Sequence, residues 1–195
     1  MKLGVLFSGG KDSAYAFYKA KKENEIAVLI TIDSKNQDSY MFHTPINKVK
    51  TIADKIKIPL ITIETEGKKE EELEDLKEAI KKSINEYKIE GIVTGAIAST
   101  YQSTRIQKIC DELNILCFNP LWQKLQEELM NELLDKGFKI KIIKVAADGL
   151  DESWVGKIID KQTLKELTDL SKKHGFNIAG EGGEYETTVE EFPDE

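Results

Sequence analysis

Apolar residues in the first two thirds of the chain form short continuous runs, separated by stretches where they recur every three or four positions. A short continuous run predicts a buried strand, and the longer period predicts a helix with one buried face. The predicted strands are Leu3 to Phe7, Ile26 to Ile32, Leu60 to Ile63, Gly91 to Gly95 and Ile115 to Phe118. Helices are predicted between them, over Lys11 to Lys22, Ile46 to Ile56, Lys68 to Tyr87 and Ser99 to Leu113. This alternation predicts an α/β fold with a doubly wound, five-stranded parallel sheet.

The rhythm changes after Leu121. A helix from about Gln123 to Leu134, a strand from Phe138 to Val145 and a helix capped by Asp160 predict a smaller C-terminal α+β part with a Gly-rich, acidic end. We therefore predict two domains, residues 1–120 and 121–195. The charges of the third helix, Lys68 to Tyr87, are predicted to form a solvated face.

Composition limits the classes of function. The 195 residues are 40% hydrophobic and 32% charged, as in a folded globular protein, and no apolar run is long enough to span a bilayer. The chain enters its first strand at once instead of a signal peptide, so a cytoplasmic location without membrane contact is expected. A net charge of −7 argues against a broad nucleic-acid surface.

Two cysteines, Cys110 and Cys117, lack the spacing of a zinc site or a disulfide framework. Both lie among apolar residues, which favours buried core thiols, with a redox or sulfur-transfer pair as the alternative.

A glycine-rich segment, Ser8-Gly9-Gly10-Lys11-Asp12-Ser13, stands between the first strand and the first helix. Backbone N–H groups at a helix start bind anions, and glycines let a phosphate approach the main chain. Lys11 is suited to neutralise pyrophosphate charge, whereas Asp12 is suited to hold Mg²⁺. The segment lacks the spacing of a Walker A motif. It predicts ATP binding.

Three further segments follow predicted strands or lie near the C-terminus. Thr94 to Arg105 leaves the fourth strand and enters a helix that carries the only arginine of the chain, so it is placed at the ligand crevice. Ser39 to Pro45 contains His43, which is either structural or a residue that contacts the nucleotide or shuttles a proton. In Gly180 to Thr187, extended backbone after Gly183 would turn Glu184 and Glu186 to one side, either as an acidic hairpin or as a site for ammonium or Mg²⁺.

Together, the strand-SGGKDS-helix unit, SYMFHTP, GAIASTYQSTR, PLW and GEGGEYET resemble the diphthine–ammonia ligase family in its short single-subunit form. That family lies within the PP-loop ATP pyrophosphatases, which have a Rossmann-like sheet of the HUP type. The resemblance implies that ATP adenylates the diphthine carboxylate on translation elongation factor two, that ammonia displaces AMP, and that diphthamide and pyrophosphate are released.

The resemblance also implies roles for individual residues. Ser8 to Ser13, Gly95 and Arg105 would bind ATP, with Lys11 and Asp12 catalytic and Asp12 holding Mg²⁺. The C-terminal domain would bind substrate, with Glu184 and Glu186 as catalytic carboxylates. Contacts to the substrate would come from His43, Ser99, Tyr101, Gln102, Glu181, Gly182 and Gly183.

Other functions remain open at this stage. A pyrophosphatase that modifies tRNA or another carboxylate shares the first motif, and a module that senses ATP or AMP without turnover is an alternative of a different class. The oligomeric state is open, a homo-oligomer included.

Overall fold

A computed structural model describes residues 1–35, 46–68 and 70–193 of the chain. These residues form two compact units, Met1–Trp122 and Gln123–Glu195. None of the helices in the described ranges is both long enough and apolar enough to cross a bilayer.

The first unit alternates strands and helices throughout. Its strands are β1 Lys2–Leu6, β2 Glu25–Ser34, β3 Leu60–Thr65, β4 Gly91–Val93 and β5 Leu116–Phe118. Its helices are α1 Lys11–Lys21, α2 Ile46–Ile56, α3 Glu71–Tyr87 and α4 Thr100–Glu112. All strand pairs are parallel and the order is β3-β2-β1-β4-β5. The predicted doubly wound sheet is confirmed.

Apolar side chains of α3 and α4 cover the sheet on one face. Leu76 and Ile80 of α3 and Ile106 of α4 are almost completely buried against strand residues such as Ile30 and Ile92. The strand order reverses between β1 and β4, where the connections that follow the two strands run apart. In sheets of this kind a ligand crevice opens at that point.

The second unit is built around a small antiparallel sheet. Its elements are α5 Gln126–Lys136, β6 Lys139–Val145, a 3₁₀ turn Glu152–Trp154, β7 Ile158–Ile159, α6 Lys161–His174 and β8 Tyr185–Glu191. The strand order is β7-β6-β8. The predicted cap of α6 is confirmed, because Asp160 accepts the Thr163 N–H at 2.7 Å.

Two of these strands were not predicted from the sequence. β7 has only two residues, too few for a periodic signal. β8 reads YETTVEE, in which acids and threonines obscure the buried positions Tyr185, Thr188 and Val189. Pairing with β6 determines this strand, since its own composition is that of an acidic loop.

Candidate active site

The loop between β1 and α1 folds around two serine side chains. The Oγ atoms of Ser8 and Ser13 lie 3.1 Å apart, and Ser13 Oγ donates to the Gly10 carbonyl at 3.1 Å. Gly9 adopts φ +78°, a left-handed conformation that glycine takes without strain. Gly10 is the N-cap of α1 and, having no side chain, leaves the helix start open to an anion. The predicted strand–loop–helix geometry is present.

The next two residues of the loop form an ion pair. Lys11 is only 3% exposed, and its Nζ donates to both carboxylate oxygens of Asp12 at 2.7 Å. A buried ammonium requires such a partner, because desolvation without one is costly. The lysine charge is thus held at the start of α1, where an incoming phosphate would compete with Asp12 for it.

Asp12 bears on the predicted magnesium site. Among the described residues, no three His, Cys, Asp or Glu side chains converge as metal ligands. Mg²⁺ bound with a nucleotide needs only one or two protein carboxylates, since phosphates and water supply the other ligands. The Asp12 carboxylate, 29% exposed, fits that limited requirement.

The segment after β4 packs tightly against the loop from Ser8 to Ser13, here called the phosphate loop. A Cβ added to Gly95 would lie 2.8 Å from the Ser13 nitrogen and 2.9 Å from the Asp12 carbonyl carbon. Both are backbone atoms, so any larger residue would displace one of the two segments. Beside it, Thr94 donates through Oγ1 to Asn119 Oδ1 at 2.5 Å, which ties the carboxyl ends of β4 and β5 together.

The start of α4 carries several of the predicted nucleotide and substrate contacts. Ser99, predicted as a substrate contact, caps the helix and accepts the Gln102 N–H at 3.3 Å. The Arg105 guanidinium stacks on Tyr101, 3.5 Å from the ring centroid. Glu70, one residue before α3, accepts from Arg105 Nη2 at 2.6 Å and from the Tyr101 hydroxyl at 2.9 Å. Desolvation, and then this hydrogen bond, raise the pKa of Tyr101, so the phenol remains a donor near neutral pH.

The two cysteines differ from each other. Cys110 is fully buried, as predicted, but Cys117 is half-buried because β5 is an edge strand. The hydrogen bond with Cys117 and burial raise the pKa of Cys110. The same hydrogen bond lowers the pKa of Cys117, helped by Asn119, whose amide donates to the sulfur at 3.8 Å. Cys110 packs in the core cluster and Cys117 against it, as the structural interpretation of these residues predicts.

In the second unit, the loop before β8 closes on its own carboxylate. Glu184 accepts the Asn177 N–H at 3.0 Å and the Gly182 N–H at 2.7 Å. Glu186 pairs instead with Lys144, its neighbour across the β6–β8 ladder, at 3.2 Å. The two predicted catalytic carboxylates therefore have different partners.

The other predicted contacts of the second unit lie in the same loop. Gly183 has φ +84°, and a Cβ added there would meet no other atom within 4 Å, while Glu181 is half-buried. His43 lies outside the described residues.

Comparison with known proteins identifies the family. The model for the diphthamide synthase N-terminal domain matches residues 1–116, and the model for the C-terminal domain matches residues 125–193. Diphthine–ammonia ligase of Homo sapiens is 36% identical over 99% of this chain and 80% of its own length. This chain belongs to the diphthine–ammonia ligase family. The ligase of Bos taurus is 35% identical, with the same coverage of both chains.

A solved structure agrees with the fold of this ligase family member. The crystal structure described as a predicted subunit of tRNA methyltransferase from Methanocaldococcus jannaschii superposes with a TM-score of 0.53. The alignment covers 100% of both chains at 22% identity. At that identity the likeness concerns the fold alone.

Sequence reasoning missed three residues near the candidate site of this ligase family member. The acids at the start of α3 were predicted to form a solvated face, yet Glu70 binds Arg105 and Glu72 is fully buried. A run of consecutive glutamates hides which of them turns inward, since the charge pattern alone does not distinguish them. Asn119 had a usable signal, because it follows β5 at the carboxyl edge, next to Pro120.

Proposed function

We propose that this chain uses ATP to join ammonia to the carboxylate of diphthine on translation elongation factor two, giving diphthamide, AMP and pyrophosphate. The observation that carries the proposal is the intact Ser8 to Ser13 loop, open at the start of α1 and packed against Gly95 at the switch of strand order. Membership of the diphthine–ammonia ligase family along both units supports the substrate assignment.

The first step is adenylation. A carboxylate oxygen of diphthine attacks the α-phosphorus of ATP, the bond from that phosphorus to the bridging oxygen breaks, and pyrophosphate leaves. Lys11 and the N–H groups at the start of α1 stabilise the negative charge that gathers on the leaving group. This role requires Lys11 to exchange Asp12 for a phosphate oxygen.

Asp12 is the residue that would hold a magnesium ion, which when bound would neutralise part of the phosphate charge. Loss of the ion pair with Lys11 would leave its carboxylate available for this purpose.

The second step is aminolysis. The nitrogen of ammonia attacks the acyl carbon, the bond to the AMP oxygen breaks, and the amide forms after the nitrogen loses a proton. Glu184 and Glu186 are the proposed carboxylates for binding ammonium and accepting that proton. Of the two, Glu186 engages a side-chain cation, which ammonium resembles, whereas Glu184 engages backbone N–H groups.

We assign ATP to the first unit and the second substrate to the second unit, in line with the proposed domains, residues 1–120 and 121–195. The test combines the protein with ATP, Mg²⁺, ammonium and diphthine-bearing elongation factor two, the diphthine carboxylate being labelled with heavy oxygen. We expect AMP, pyrophosphate, the acid-to-amide mass change on the factor, and label in the AMP phosphate, because adenylation transfers one carboxylate oxygen to phosphorus.

The products distinguish the alternatives. AMP without a mass change on the factor indicates another carboxylate, ADP contradicts cleavage between the α and β phosphates, and no turnover with retained ATP binding indicates a sensor module. Omission of ammonium is the control, since it must prevent the amide.

A further inference from the structure

One carboxylate oxygen gathers three donors beside α4. Glu70 Oε1 accepts from Arg105 Nη2 at 2.6 Å, from Arg105 Nε at 3.0 Å and from the Tyr101 hydroxyl at 2.9 Å. The Tyr101 ring also stacks against the guanidinium, whose central carbon lies 3.5 Å from the ring centroid. The two side chains of α4 thus form a preorganised receptor for a planar oxyanion, and a side chain of the protein occupies it.

The backbone of Glu70 is strained. Its φ of +71° lies in the left-handed region, which is unfavourable for a residue with a Cβ. Glu70 is 55% exposed and Arg105 31% exposed, so the ion pair is well solvated and stabilises the fold little. Backbone strain that supports only a weak, exposed ion pair is a poor device for stability and is typical of functional sites.

The receptor matches the chemistry of phosphates and carboxylates. An arginine fork binds two oxygens in a plane, which a lysine cannot do, and a neutral phenol adds a third donor. Arg105 and Tyr101 lie in the first turns of a helix that follows β4, where the helix dipole favours an anion. Glu70 therefore has the charge and shape of the ligand that this receptor would bind.

We propose that Tyr101 and Arg105 form an oxyanion subsite and that Glu70 is its internal competitor, occupying the subsite until a ligand phosphate or carboxylate displaces it. The apparent affinity for the ligand is then the intrinsic affinity multiplied by the fraction of molecules in which Glu70 has left the subsite. The inference rests on the proposed function for the identity of its two candidate ligands, the phosphates of ATP and the diphthine carboxylate.

The experiment measures binding without turnover. ATP, and separately diphthine-bearing elongation factor two, are titrated calorimetrically into the wild type and into Glu70→Gly, Glu70→Gln and Arg105→Lys. Glycine removes the competitor and relieves the positive φ, whereas glutamine retains one acceptor oxygen without the charge. We expect Glu70→Gly to bind one of the two ligands about two- to fivefold more tightly, the range of an exposed ion pair. Glu70→Gln should lie in between, and Arg105→Lys should bind more weakly.

A matched control tests whether the effect is specific. Glu112 of α4 forms an ion pair with Lys77 of α3, so it is another exposed carboxylate paired with a cation between α4 and the α3 region. Glu112→Gln should leave both affinities unchanged. Thermal unfolding of each variant identifies any loss of folded protein, and Glu70→Gly is expected to unfold at or above the wild-type temperature.

The two titrations distinguish the ligand. Tighter ATP binding assigns the subsite to a phosphate, and tighter binding of the modified factor alone assigns it to the carboxylate. Unchanged or weaker binding of both ligands by folded Glu70→Gly would refute the proposal that Glu70 competes with the ligand. A wild type that binds ATP but makes no diphthamide would refute the proposed function, while the ATP titration would still test Glu70.

Discussion

The two glycine-rich loops of this chain resemble each other in composition but differ in which groups they leave uncovered. In the loop from Ser8 to Ser13, serine side chains hold the turn, and glycine at the N-cap leaves a helix start uncovered. In the loop from Gly180 to Glu186, the Glu184 carboxylate accepts backbone N–H groups of its own neighbourhood. The first loop leaves the N–H groups of a helix start uncovered, and the second uses a carboxylate to hold its own shape.

This difference shows that a glycine-rich segment with charged residues does not define an anion site by itself. The element that follows decides its use: a helix start concentrates N–H groups at one point, whereas a strand such as β8 commits them to a ladder. The two carboxylates of the second loop also differ in this way. Glu184 accepts backbone N–H groups and has a structural role, whereas Glu186 forms an ion pair with a side chain.

The largest effect is expected at the first loop from Lys11→Met. Methionine preserves much of the buried stem but removes the charge that, in the proposed mechanism, stabilises the leaving pyrophosphate, so AMP formation should fall about a hundred- to a thousandfold. Lys21→Met, at the exposed end of the same helix, is the matched control and should retain activity. Unaltered AMP formation by folded Lys11→Met would remove this lysine from the chemistry.

Gly95→Ala should act on the same loop through packing alone. Its methyl group would meet the backbone of Asp12 and Ser13, so the free energy of ATP binding or of unfolding should become less favourable by about 1–3 kcal/mol. Calorimetric titration and thermal unfolding measure the two quantities. Gly4→Ala, which meets only isoleucine side-chain ends, should lower stability without a separate loss of ATP affinity in the folded protein.

In the second loop, Glu184→Ala and Glu186→Ala should have unequal effects on stability. Loss of two charge-assisted bonds to backbone N–H groups should lower the free energy of unfolding by about 1–3 kcal/mol. Loss of the cross-strand pair of Glu186 with Lys144 should cost less than about 1 kcal/mol. Denaturant unfolding measures both, and equal losses would contradict the structural role of Glu184. If Glu186 binds ammonium, its variant should show the larger rise in KM for ammonium.

The smallest effect concerns acid stability of the second unit. The hydrogen bond from the Thr163 N–H lowers the pKa of Asp160 below its usual 3.8. Its contribution to the stability of α6 is therefore complete above the unfolded pKa and is lost as the pH falls through the lower folded pKa. The Asp160→Asn variant keeps a cap acceptor but cannot titrate, so its unfolding temperature should depend less on pH below about 4. Identical acid profiles of the two proteins would contradict this cap effect.

Much of the first unit could be predicted because its central strands are largely buried and its helices pack against the sheet. In such elements the apolar residues form a continuous run, as in β2, or recur with the helical period, as in α4. The second unit was harder to predict, because β7 is two residues long and β8 is polar and depends on β6 for its conformation. Glu70 was missed because its left-handed backbone and its distance from Arg105 in the sequence leave no local pattern.

The sequence alone determined the class of sheet, the phosphate loop and the family resemblance, since each depends on neighbours within a few positions. Tertiary structure decided which distant charges meet: Glu70, just before α3, with Arg105 of α4, and Glu186 with Lys144 across two strands. It also decided that Gly95 packs directly on the phosphate loop. Contacts between residues distant in the chain depend on the order of the strands and the packing of the helices. The periodicity of a single element therefore does not predict them.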